Sequence, residues 1–282
     1  MTPMRPSLLG LWILVLACLP ALAEQKVTSQ FVRIDEDDKA ARLQTTVTRY
    51  EKDGVSVDLI GAVHIADRAY YEDLNRRFAG YDVLLFELIG GEKLPKRRAK
   101  KKEGGGGDPL NDMFAMMSTA MKLSGQMDVI DYWKDNFVHA DLTVAEFERM
   151  QEERDESLMG FAVASAIASE KNNPASAMDM GAVMSAMLTG NSNGLKLVLM
   201  KSLGQQDDQI SQLLGESVII DDRNAKCFRV MDAQIAAGKK KLGIFYGAAH
   251  LPDMEERLRK RGFRKAGETW LTAWYVAKPS EE

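Results

Sequence analysis

Hydrophobic and polar positions alternate over residues 43–50, a second, more apolar strand pattern covers 55–63, and Glu51-Lys52-Asp53-Gly54 interrupts them. A period of two broken by a turn sequence predicts a β-hairpin. The period then lengthens. Tyr70, Leu74 and Phe78 fall on one face of a helix that opens at Asp67, a candidate N-cap, and stops before Gly80. Residues 81–88 form a nearly continuous apolar run suited to a buried strand. Strand, helix and strand in this order predict a parallel crossover.

The middle of the chain has a different texture. From about 109 to 215 the pattern is mostly helical, with Met113, Met116, Met117 and Met121 at helical spacing and Met180, Met184 and Met187 repeating it. Such a stripe reads first as core packing of a helical insertion; a pliable substrate groove or a copper(I) site is the alternative. Thr143 and Glu146 have capping-box spacing. Strand-like and helical patterns resume beyond it: a helix over 223–237 closed by Gly238, a strand over 242–246, a helix over 254–260 ended by Gly262, and a last strand over 270–277. The whole predicts an α/β fold: a central mixed, largely parallel sheet with flanking helices and a large helical insertion at about 109–215.

The two ends of the charge scale add compartment and partners. Arg5 precedes an apolar stretch over residues 8–23 that ends in Ala21-Leu22-Ala23 and turns polar at Glu24. That is the layout of a secretory signal peptide cleaved after Ala23, with a retained anchor or a lipid-modified Cys18 as alternatives. The expected product, residues 24–282, is exported to a periplasmic, extracellular or cell-surface location. A formal net charge of −4 with interspersed signs argues against nucleic acid as a partner. The basic run over residues 96–102, followed by four glycines, reads as a solvated loop, with contact to an anionic membrane surface as its second reading. Of the two cysteines only Cys227 follows the signal, so an internal disulfide is excluded and a buried structural thiol is expected.

Two of the three histidines occupy matching settings. Gly61-Ala62-Val63-His64 and Gly247-Ala248-Ala249-His250 each follow an apolar strand, carry aspartate three residues later (Asp67, Asp253) and lead into a helix. In a parallel sheet such turns converge at the carboxyl edge, where ligands bind, and glycine allows another group to approach closely. Glu87 ends the apolar strand between them in the sequence. A carboxylate buried there needs a cation or donors, and Arg223 is a candidate partner. Two imidazoles and one carboxylate form a ligand set for zinc, manganese or cobalt. His139 lies outside the repeat and reads as structural.

At these residues the chain resembles the TraB/Tiki family, which includes pheromone-shutdown proteins and the Tiki proteases. The two Gly-x-x-His motifs, Glu87 and Asp222-Arg223-Asn224 carry the likeness, which covers residues 43–90 and 215–277. Ala62 stands where the family often has threonine, and Asp222 where it has glutamate. The resemblance implies a metal-dependent hydrolase, with a peptide or protein as the expected substrate. His64, Glu87 and His250 would hold a divalent ion (Mn, Co or Zn). Arg223 would steady an oxyanion or a substrate carboxylate, and Asp67 and Asp253 would either orient the imidazoles or cap their helices. A haem- or peptide-binding protein without hydrolytic activity is the competing expectation.

Overall fold

The structure is a computed structural model that describes residues 30–94, 109–154, 180–203 and 218–278. The expected signal peptide, the basic run over 96–102, the tetraglycine and Gly204 lie outside the described residues.

The elements follow in the order β1 (Val32–Glu36), β2 (Ala40–Lys52), β3 (Val55–Ala62), β4 (Ile65–Ala66), α1 (Arg68–Phe78), β5 (Val83–Phe86), α2 (Pro109–Met121), β6 (Ser124–Gly125), α3 (Gln126–Val129), β7 (Phe137–His139), α4 (Val144–Arg154), α5 (Met180–Leu188), α6 (Ser192–Leu203), α7 (Arg223–Ala236), β8 (Lys241–Gly247), α8 (Leu251–Lys260) and β9 (Arg264–Ala277). The fold is α/β around a mixed sheet. In its site-bearing half, β3, β8, β5 and β7 all run parallel. The antiparallel half is built on β2, whose length pairs with β9 on one edge and with β1 and then β3 on the other.

The predicted hairpin is β2–β3. Asp53 and Gly54, both at positive φ (50° and 76°), make its tight connection; such backbone matches the twist of paired strands. β3, α1 and β5 form the predicted crossover, with β8 inserted between the two strands. Alternation along the strands sorts the core into two layers. Ile60, Leu84, Phe86 and Phe245 pack with Tyr70, Tyr71, Leu74 and Phe78 of α1. Leu59, Leu85, Ile244 and Tyr246 pack on the other face with Phe228 and Met231 of α7 and Leu251, Met254 and Leu258 of α8. Cys227 is fully buried in this second layer, as expected of a structural thiol.

The described middle of the chain is mostly helical, as read, except that β7 joins the main sheet beside β5, pairing Phe86 with His139. Two expectations are corrected. The methionine stripe is not uniformly core. Met121 is buried, but Met116, Met184 and Met187 are exposed; in α5 it is Val183 and Ala186 that turn inward. Asp67 sits at the N-cap position of α1 without a side-chain capping bond; its carboxylate accepts instead from Lys196 Nζ (3.2 Å) and the Tyr275 amide (2.8 Å). The capping box at α4 forms as read, with Thr143 N bound to Glu146 Oε2 and Glu146 N to Thr143 Oγ1.

Candidate functional site

Parallel pairing sets the carboxyl ends of β3, β8 and β5 side by side. Ala62 lies opposite Gly247, and Phe86 opposite Phe245, so His64, His250 and Glu87 all follow adjacent strand ends. This is the edge at which open α/β sheets bind ligands.

Glu87 is the first residue after β5, and its amide still donates to Phe245 O (3.1 Å). Its carboxylate is held at both oxygens. Oε2 accepts the Gly247 amide at 2.6 Å, and Oε1 accepts Arg223 Nη2 at 2.5 Å. Gly247 eases this approach, since a Cβ there would stand 3.3 Å from Oε2 and press on the carboxylate. Burial alone would raise the Glu87 pKa, but Arg223, then His250, the Gly247 amide and His64 outweigh it and hold the carboxyl at about 2.

Arg223 opens α7 and is buried. Its Nε and Nη2 donate to the two oxygens of Asp141 (3.0 and 2.7 Å) while Nη2 also reaches Glu87. Burial opposes its charge, yet Glu87 and Asp141 raise its pKa above the ordinary value. A buried guanidinium engaged by two carboxylates is a holder of Glu87, the pairing that its burial at a strand end called for. Asp141, wholly buried, is the residue that sequence reasoning missed. Its signal is the run Phe137-Val138-His139-Ala140 before it, a short strand that ends in an acid as β5 does.

His250 is buried, with Nδ1 2.7 Å from Asn224 Oδ1 and Nε2 3.6 Å from Glu87 Oε1. Burial pushes its pKa down to about 4 against the pull of Glu87, so the ring is neutral at pH 7. Asp253 does not touch the ring. It accepts from Asn224 Nδ2 (2.8 Å) and Arg257 Nε (2.5 Å), and so reaches His250 only through Asn224.

His64 is placed differently despite its matching motif. Its side chain is exposed, and its carbonyl accepts the Gln126 amide (2.9 Å) where β4 pairs with β6. Its imidazole acts on Glu87 through space. His139 stands apart, with Nε2 2.8 Å from Leu88 O, and fastens the loop after β5.

Arg223 thus faces both Glu87 and Asp141, beside a neutral His250. Among the described residues, no three His, Cys, Asp or Glu side chains are grouped as a ready metal cage. The pair Glu87 and His250 nonetheless fits a cation by its donor types. Its 3.6 Å separation also lies close to the roughly 3.4 Å that two donors on one tetrahedral zinc require. Comparison of the chain with protein-family models, with curated proteins and with solved structures finds no match.

Proposed function

We propose that this chain is an exported metal-dependent hydrolase whose divalent cation binds between Glu87 and His250, with His64 completing the ligand set, and whose substrate is a peptide or protein. The observation that carries the reading is the pairing of Glu87 Oε1 with His250 Nε2 at 3.6 Å, in a buried cluster at the carboxyl edge of the parallel strands. The resemblance to the TraB/Tiki family points to the same residues. Export rests on the apolar stretch over residues 8–23.

When bound, the cation would supply an acidified water and a Lewis acid for the scissile carbonyl. The remaining work falls to the chain. Arg223 and the Gly247 amide fix both Glu87 oxygens and keep the carboxylate ionised. Burial keeps His250 neutral, the form in which an imidazole ligates. The exposed His64 lies on the solvent side, where substrate would arrive.

The test is hydrolysis of a mixed peptide library by the mature protein, residues 24–282, metal-stripped and then resupplied with Mn, Co or Zn. Turnover dependent on one metal, and lost in Glu87→Gln and His250→Ala, is expected. Turnover undiminished in His250→Ala contradicts the reading. A Soret band on haem addition that disappears in His250→Ala would favour the binding-protein alternative.

A further inference from the structure

The first two residues of α7 act on the two buried donors of the site. Arg223 holds Glu87, and Asn224 holds His250. Successive residues of a helix point about 100° apart, so a single helix start can serve two neighbouring strand ends.

Asn224 is wholly buried, and its hydrogen bonds settle which way its amide points. One terminal atom lies 3.1 Å from the His250 carbonyl oxygen and 2.8 Å from Asp253 Oδ2. Both of those are acceptors, so that atom is the NH2 group. The other terminal atom, 2.7 Å from His250 Nδ1, is therefore the carbonyl oxygen, which cannot donate. Nδ1 must carry the hydrogen of this bond whatever the charge of the ring, and the nitrogen that is bare in the neutral ring is Nε2. Nε2 lies 3.6 Å from Glu87 Oε1, beyond hydrogen-bonding range. A lone pair there faces a carboxylate, an arrangement of two acceptors that suits a cation between them.

The amide is locked from behind as well. Asp253 Oδ2 accepts from both Asn224 Nδ2 and Arg257 Nε, and Arg257 Nη2 continues to Asp221 Oδ1 (2.5 Å). Flipping Asn224 would turn its carbonyl oxygen onto this carboxylate, which raises the energy of the flipped state.

We propose that Asn224 is the positioning residue of this site: it holds His250 as the Nδ1–H tautomer with the Nε2 lone pair turned to Glu87, and Asp253 with Arg257 holds Asn224 in the amide orientation that does so. The tautomer stands on the hydrogen-bond geometry alone; its consequence for cation binding rests on the function proposed above.

Long-range 1H–15N spectra of the imidazoles test it directly. The mature protein has three histidines, and His64→Ala and His139→Ala variants assign His250 by elimination. The unaltered metal-free protein at neutral pH should show His250 as a single Nδ1–H tautomer. In Asn224→Ala that tautomer should give way to a mixture or to Nε2–H, and Zn affinity should fall about 10- to 100-fold. The exchange Asn224→Asp with Asp253→Asn keeps an acceptor facing Nδ1 and a donor–acceptor pair behind it, so it should restore the Nδ1–H form. This double variant also gives an answer where the alanine variant does not fold. An Nε2–H tautomer in the unaltered protein, or an unchanged Nδ1–H tautomer in folded Asn224→Ala, overturns the proposal. The Nδ1–H tautomer together with no metal affinity would uphold the positioning role and sink the cation reading, so the two failures are distinguishable.

Discussion

Replacing Arg223 with methionine removes the guanidinium between Glu87 and Asp141 while keeping an unbranched side chain in the helix. Asp141 is fully buried, and the Glu87 side chain is 16 % exposed, so neither regains water easily. Three hydrogen bonds are lost, at 2.5, 2.7 and 3.0 Å. Removing one partner from a buried ion pair costs about 3–5 kcal/mol, and the second carboxylate places this site at the upper end of that range. Against a typical total stability of about 5–15 kcal/mol the loss is large. Urea unfolding followed by circular dichroism reads it: with a slope of about 2–3 kcal/mol per molar, the midpoint should fall by roughly 1–2 M at unchanged slope. Arg223→Lys keeps the charge but not the fork that reaches both carboxylates, so it should fall between the two. Added Zn or Mn should stabilise Arg223→Met more than the unaltered protein, since a positive charge beside Glu87 has been removed. A loss below about 1 kcal/mol with folded structure retained would refute the ion-pair geometry.

Four further outcomes follow from the structure. His250 has its folded pKa depressed from 6.5 to about 4, so the unfolded state binds its proton first as pH falls; stability present above pH 6.5 should decline toward pH 4 by about 3 kcal/mol, and His250→Gln should flatten that decline in urea titrations across pH. Glu87, held at about 2, adds a second decline below its unfolded pKa near 4.5, which Glu87→Gln should remove. Gly247→Ala places a Cβ 3.3 Å from Glu87 Oε2, so the carboxylate must shift; a loss of about 1–3 kcal/mol in thermal unfolding and weaker metal binding are expected, and an unchanged melting curve would contradict the close approach. Lys196→Met breaks a buried contact from α6 to Asp67, but Asp67 keeps the Tyr275 amide and partial solvent access, so a loss of only about 1 kcal/mol in urea is expected.

The site-bearing half of the fold was legible because its signals are local. Each Gly-x-x-His turn follows a short apolar strand and precedes an amphipathic helix, and the strand–helix–strand order fixes parallel direction. The Glu87–Arg223 pair was legible from cost alone, since a carboxylate at the end of a buried strand must find a cation. Other features depend on distant partners and leave no local mark. The first part of β9, from Arg264 to Glu268, is polar and exposed and is a strand only because β2 extends beside it. β7 is three residues long within a helical stretch, so Asp141 was passed over although it completes the Arg223 cluster. The difference in burial between the two histidines was equally invisible. Leu251 packs α8 beneath His250, whereas β6 pairs along β4 beside His64 and leaves its ring in solvent.

Metal content and affinity of the mature protein, measured by elemental analysis and calorimetry beside His64→Ala, His250→Ala and Glu87→Gln, test the central claim most directly. Near-stoichiometric divalent metal, lost in His250→Ala and Glu87→Gln and weakened in His64→Ala, is the predicted result. An unaltered protein that takes up no Zn, Mn or Co after reconstitution would contradict it and leave Arg223 as the cation that holds Glu87.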